Sequence, residues 1–165
     1  MEIIMLQLHT IEPVYDRFSR ILILGSFPSV KSREYGFFYG HPQNRFWKVL
    51  AAVFGEENVP SDISEKKRFL LAHRVALWDV IASCDIEGSS DGSIKNVVPN
   101  DVMKITSACD IERIFVNGKT AERLYKKHLM DAVGRDAVYL PSTSPANASL
   151  SVDDLIREWK AAIVG

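Results

Sequence analysis

Cysteine is scarce: Cys84 and Cys109 are the only two in 165 residues, with no CxxC pair and no His at ligand spacing. Counting alone excludes a cysteine-built zinc site and a four-Cys iron–sulfur cluster. Two unpaired thiols fit a reducing, cytoplasmic setting. Long apolar runs are missing as well, none approaching the ~20 residues of a membrane helix. The segment from Met1 to Thr10 carries acidic Glu2 and lacks a basic n-region and a small-residue cleavage site, so neither secretion nor membrane insertion is expected. Charge of one sign is also lacking: 20 Lys and Arg stand against 21 Asp and Glu, for a net charge of −1. A polybasic binder that works through a bulk positive field is excluded, and any nucleic-acid role has to be local.

Several common chemical signatures are absent too. The four His, at 9, 41, 73 and 128, form no HExxH and no HxE…PCxxC, which removes zinc protease and zinc deaminase chemistry. No GxGxxG follows Gly25 and no GxSxG occurs. Gly118-Lys119-Thr120 resembles the end of a P-loop, but the required earlier Gly is Arg113, leaving a strand-to-helix turn. No cofactor is implied.

What is present is a single domain, residues 1–165, 47% hydrophobic and long enough to bury one sizeable core. Ile21 to Gly25 is a continuous apolar run ending in Gly, the pattern of a strand buried on both faces. Val75–Ile81, Arg113–Gly118 and Ala137–Pro141 read the same way, and helical patterns separate them. Phe46, Val49, Leu50 and Val53 share one helix face; Asp62 opens a helix with Glu65 three positions on; Ala121, Leu124, Tyr125 and Leu129 form a stripe; Ser151 caps a last helix holding Leu155 and Trp159 inward. Strand and helix in alternation predict a parallel sheet with helices on both faces. The loops Gly25–Gln43, Asp85–Asn100 and Pro141–Ser149 are the long polar or Gly/Pro-rich ones. In open α/β sheets ligands sit beyond the carboxyl ends of strands, so function is sought in the first and third.

The first loop concentrates aromatics, Tyr35, Phe37, Phe38 and Tyr39, flanked by Gly36 and Gly40. Such a cluster can form a slot for a planar ring or can simply pack the loop onto the core. Asn44 is open in the same way, as a helix-start residue or as a site group.

Three strings then carry a resemblance: Gly25-Ser26-Phe27-Pro28-Ser29, His41-Pro42-Gln43-Asn44-Arg45-Phe46-Trp47-Lys48, and Ser142-Thr143-Ser144-Pro145-Ala146-Asn147-Ala148. In this order, at strand ends, they resemble the uracil-DNA glycosylase superfamily from about Ile21 to Trp159, and most closely its hypoxanthine-DNA (deoxyinosine) glycosylase branch. The resemblance implies a three-layer α/β/α fold around a four-stranded parallel sheet. It also implies a monofunctional, metal-free enzyme, acting as a monomer, that flips a deaminated base from DNA and hydrolyses its N-glycosidic bond with water. By position, Tyr39 is the aromatic that stacks on the base, and the backbone at Gly25, Ser26 and Phe27 binds the base's carbonyl. His41, Arg45, Lys48, Ser144, Pro145 and Asn147 belong to the DNA-gripping set.

Two departures stand out. Phe27 occupies the place where the pattern has a water-positioning Asp or Asn, so that task moves to Asn44. An amide has no useful basicity, so Asn44 would hold the water while an oxocarbenium-like sugar develops. Ser142 replaces the usual His or Asn of the closing motif, a weaker partner for departing negative charge. Asp79, in an apolar strand, needs partners in either of its two readings, as acceptor of the N1–H of hypoxanthine or as a structural carboxylate held by neighbouring donors. Lys31, Arg33, Arg45 and Lys48 supply local positive charge, whereas Lys66-Lys67-Arg68 and Lys126-Lys127 read as solvated helix faces. Ala146 stands where a larger wedge residue is usual, with Asn147 or Leu150 as substitutes. Removal of uracil, or nucleic-acid binding without catalysis, are the rival readings.

Overall fold

A computed structural model describes residues 5–86 and 91–165; Glu2 and the tip of the Asp85–Asn100 loop, residues 87–90, lie outside the described residues. In chain order the strands are β1 (Met5–Leu8), β2 (Ile21–Gly25), β3 (Val75–Asp79), β4 (Ile81–Ile86), β5 (Lys95–Pro99), β6 (Arg113–Asn117) and β7 (Val138–Leu140). The helices are α1 (Val30–Tyr35), α2 (Phe46–Val53), α3 (Ile63–Ala72), α4 (Met103–Ala108), α5 (Lys119–His128), α6 (Met130–Val133) and α7 (Val152–Ile163).

The central sheet is four-stranded and parallel, in the order β3-β2-β6-β7. β2 and β3 are buried at every position, which is why their sequences run apolar without alternation. Helices flank this sheet in the expected α/β/α arrangement: α3 lies against β3, α5 against β6, and α2 packs on α7. Because the strands run parallel, Gly25 at the end of β2, Asp79 at the end of β3 and Asn117 at the end of β6 emerge side by side.

The expected strand Val75–Ile81 is in fact two. It turns at Val80, whose N–H reaches the Gly25 carbonyl at 2.8 Å, and continues as β4 into a second, antiparallel sheet of order β1-β4-β5. β5 therefore occupies part of the segment read as a loop, and β1 is a further strand before the parallel core.

Helix starts follow their capping chemistry. Ser151 makes a full capping box with Asp154, and Asp62 accepts from the Glu65 N–H at 2.7 Å. Lys66 corrects the reading of its helix face as solvated: it is only 7% exposed, with its ammonium over the rings of Tyr35 (4.8 Å) and Trp47 (5.2 Å). Burial lowers its pKa from the ordinary lysine value. Gly118 has a φ of +96° and faces Ser142, so Gly118-Lys119-Thr120 is a strand-to-helix turn. No helix among the described residues is long and apolar enough to cross a membrane.

Phe46 and Trp159 meet edge to face at 5.8 Å, joining α2 to α7, and the Trp159 indole N–H donates to the Pro141 carbonyl at 2.9 Å. That bond fixes the start of the closing loop. Trp159→Ala opens a cavity in a fully buried site and is expected to destabilise the fold by about 3–5 kcal/mol. Trp159→Phe, which mainly removes the hydrogen bond, is expected to cost about 1–2 kcal/mol. Urea unfolding of the two variants checks both values and their order.

Candidate active site

At the carboxyl ends of β2, β3, β6 and β7 lies a cleft of about 690 Å³. Its floor comes from Gly25, Ser26, Phe27 and Asp79, its far wall from Asn117, Ser142 and Thr143, and its remaining wall from Phe38, Tyr39, His41 and Asn44. The volume suits a nucleobase with its sugar. Lys31, Lys119, Ser144 and Pro145 stand at its edge.

Gly25 carries the closest approach. A Cβ there would lie 2.4 Å from Asp79 Oδ1 and 2.8 Å from the Tyr39 hydroxyl, so the absent side chain is what lets both oxygens converge on the floor. No acceptor among the described residues meets the N–H of Ser26 or Phe27, which leaves two adjacent backbone donors for a ligand oxygen.

The aromatic loop divides its work. Phe37 and Phe38 are buried core residues, Tyr35 lies outside under the Lys66 ammonium, and Tyr39 belongs to the cleft. Tyr39 adopts a φ of +53°, a left-handed backbone unusual for an aromatic residue. The flanking Gly40 N–H bonds Ser32 Oγ at 2.9 Å and the Phe38 carbonyl accepts from the Trp47 indole at 3.2 Å, which holds that conformation. The Tyr39 ring stacks on Phe46 with centroids 4.0 Å apart. Burial first, and the Asp79 charge second, push its hydroxyl far above the usual tyrosine range, so it stays protonated.

A hydrogen-bond chain crosses the cleft. Asn117 Oδ1 accepts from the Thr143 N–H at 3.2 Å, which orients the amide, and its Nδ2 donates to the Tyr39 hydroxyl (3.2 Å) and to Thr143 Oγ1 (3.1 Å). Thr143 Oγ1 in turn donates to Asn44 Oδ1 at 2.9 Å, and the Phe46 N–H also donates to that oxygen at 3.0 Å. Asn44 is thus both things its sequence context allowed, a helix-start group through Oδ1 and a cleft group through Nδ2. With Oδ1 occupied by two donors, Nδ2–H is what it offers to the cleft.

Asp79 has the buried partner its structural reading requires, and it also borders the cleft. Oδ2 is paired with His9 Nε2 at 2.8 Å, while Oδ1 faces the floor over Gly25. Ser142 Oγ accepts from the Ser144 N–H at 3.1 Å and keeps its own proton to donate.

Three of the expected DNA-gripping residues are placed otherwise. The Arg45 guanidinium is spent on the carbonyls of Leu150 (2.6 Å), Ser144 (2.8 Å) and Asn147 (2.9 Å), and it staples the closing loop from inside. Asn147 donates its Nδ2–H to the Ser142 carbonyl and accepts at Oδ1 from the Ser149 hydroxyl, a loop-holding role that also removes it as a wedge. Leu150 packs against the core, so the exposed tip is Pro145 and Ala146. Lys48 is exposed on α2, outside the cleft lining. His41, Ser144 and Pro145 do border the cleft, and Ser144 Oγ accepts from the Ala146 N–H.

His9, Asn117 and Thr143 were not singled out from the sequence. Asn117 had a usable signal as the polar residue that ends a buried strand. Thr143 sat inside a quoted motif, and His9 gave no signal because β1 went unread. Among the described residues no group of three or more His, Cys, Asp or Glu could hold a metal ion.

Residues 12–163 match the family model of the Uracil DNA glycosylase superfamily. The chain is 35% identical over 150 residues to a hypoxanthine DNA glycosylase of Methanosarcina acetivorans, covering 90% of this chain and 92% of that protein. It is 32% identical over 139 residues to a hypoxanthine DNA glycosylase of Methanosarcina barkeri, covering 82% and 85%. A solution NMR structure from Methanosarcina acetivorans, of a protein named for uracil DNA glycosylase, superposes with a TM-score of 0.77 at 32% identity over 95% of this chain and 96% of that one. By sequence and by fold, the chain belongs to the uracil DNA glycosylase superfamily.

Proposed function

We propose that this protein is a DNA-repair glycosylase that excises a deaminated base, hypoxanthine first, from DNA. The observation that carries the reading is the convergence of Asp79 Oδ1 and the Tyr39 hydroxyl over Gly25, with the Asn44 amide across the same cleft. The two hypoxanthine DNA glycosylases to which the chain is similar support the choice of base. The enzyme works as a monomer in the cytoplasm, and its partner is DNA containing the lesion.

In this reading the flipped base lies against Tyr39, whose other side rests on Phe46. The carbonyl of hypoxanthine takes the N–H groups of Ser26 and Phe27, and its N1–H is accepted by Asp79 Oδ1. The backbone donors meet the oxygen on which negative charge grows as the base departs, so they act on the transition state more than on the bound substrate. Ser142 adds a hydroxyl donor to the departing base.

Asn44 Nδ2–H holds the attacking water by one of its lone pairs and leaves the other for the sugar carbon. As the C1′–N9 bond breaks, the water oxygen joins C1′, one proton stays on the new hydroxyl and the other leaves toward the base. The contribution of Asn44 is therefore position, not basicity. Lys31, Lys119 and His41 at the edge of the cleft, with Ser144 and Pro145, face the DNA backbone, where contacts orient the duplex without reading sequence.

Labelled duplexes carrying inosine, uracil or xanthine, treated with the protein and then alkali, are expected to break at the lesion, inosine fastest. The absence of scission on every substrate sinks the enzymatic reading, and uracil cut faster than inosine sinks the choice of base. Asn44→Ala is expected to lower single-turnover inosine excision by about 100-fold, and full activity in that variant removes the role of Asn44. Gly25→Ala drives a methyl into Asp79 Oδ1 and the Tyr39 hydroxyl. It is expected to cost about 100-fold through misplacement of the floor while leaving the circular dichroism spectrum intact.

A further inference from the structure

The second sheet has no part in the mechanism above, yet a side chain that directly follows its first strand reaches the cleft floor. His9, just past β1, places Nε2 2.8 Å from Asp79 Oδ2, and the two side chains are only 2% and 5% exposed. A third group fixes the direction of this bond. The Ile11 backbone N–H approaches His9 Nδ1 at 3.3 Å, and an N–H only donates, so Nδ1 is the acceptor and the ring proton sits on Nε2. The imidazole therefore directs Nε2–H at Asp79 Oδ2. With Oδ2 engaged, Asp79 presents a single acceptor atom, Oδ1, to the cleft.

We propose that His9 is a positioning residue for base selection: its Nε2–H holds Asp79 as a one-sided carboxylate acceptor, which admits a base with N–H at position 1 and repels one with a lone pair there. The inference rests on the reading that Asp79 faces the base. Hypoxanthine carries a proton on N1, whereas adenine carries a lone pair at the same atom. A donor permanently aimed at Oδ2 fixes the orientation of the carboxyl group and leaves Oδ1 as the atom that meets the base.

The other groups around the pair do not compete for this role. The Tyr39 hydroxyl is kept protonated by burial. Arg33 of α1 lies over the Phe27 ring at 5.4 Å and donates to Gln7. Cys84 of β4, paired with Gln7 across the small sheet, has its thiol pKa raised by burial and stays neutral.

Two substitutions separate position from bulk. His9→Gln carries an amide N–H near the place of Nε2, whereas the shorter His9→Asn keeps its amide near the place of Nδ1 and stops short of Asp79 Oδ2. Single-turnover excision of hypoxanthine from a defined duplex is measured for each. His9→Gln is expected to stay within a few-fold of the unmodified enzyme. His9→Asn is expected to lose about 10–100-fold, the weight of one hydrogen bond to a charged group. Equal rates for the two variants overturn the role of His9, whether both keep activity or both lose it. Should His9→Asn fail to fold, His9→Phe is read by the same criteria. An unmodified protein that does not cut the inosine duplex overturns the proposed function instead, so the two failures are distinct.

Discussion

The side-chain amide of Asn117 is the joint on which the cleft is assembled. One planar group at the end of β6 accepts from the Thr143 backbone and donates to Thr143 Oγ1 and to the Tyr39 hydroxyl. It thereby fixes three segments that share no strand: the aromatic loop, the closing loop and, through Thr143, the Asn44 turn. None of these contacts is strong alone, each bond contributing about 1 kcal/mol net. Their value lies in mutual orientation. The backbone N–H groups of Thr143 and Phe46 are immovable donors, so both amides have a single satisfied orientation, and Asn44 is left with its nitrogen toward the cleft. Arg45 completes the arrangement from behind, since its fork engages carbonyls of the closing loop and keeps Thr143 within reach of Asn44.

Charge is distributed with equal economy. Asp79 is the charged group of the floor, and the Asn, Ser, Thr and protonated Tyr groups around it are neutral. A net charge of −1 then presents no obstacle to a DNA partner. On the proposed function, specificity comes from a pocket with one fixed carboxylate, and the cations Lys31 and Lys119 stand at its margin.

The parallel core was legible because burial on both faces leaves an unmistakable trace. Ile21-Leu22-Ile23-Leu24 and Arg113-Ile114-Phe115-Val116 have no alternation to confuse them with half-buried strands. Ser151 and Asp62 announced their helices because capping is a local interaction between neighbours in sequence. The small sheet left no such trace: Leu6 and Leu8 of β1 are exposed by 63% and 60%, so apolar residues there mark neither a core nor a face. Arg45 and Lys66 were misread for a related reason. A cation's role depends on what surrounds its head group, and Arg45 meets carbonyls about a hundred residues away while Lys66 meets rings from two other segments. The three sequence motifs converge on one cleft, but the contacts each residue makes inside it are tertiary.

Phe27, the conspicuous departure of the first motif, acquires a physical reason in this setting. Its ring meets His9 edge on, with centroids 5.9 Å apart, and lies under the Arg33 guanidinium. Phe38 closes on His9 from another direction at 6.0 Å. The histidine that holds the floor carboxylate is thus walled by two apolar rings. Water in that position would offer Asp79 alternative donors and weaken the preference for one geometry, whereas an apolar wall lowers the local dielectric and strengthens the bond that remains. A polar residue at position 27 would place a hydrogen-bonding group against the same imidazole and compete for Asp79. On the proposed function, the absence of a water-positioning side chain at the first motif and the fixed acceptor on the floor belong together: water handling falls to Asn44, and the β2–β3 edge is left to the base.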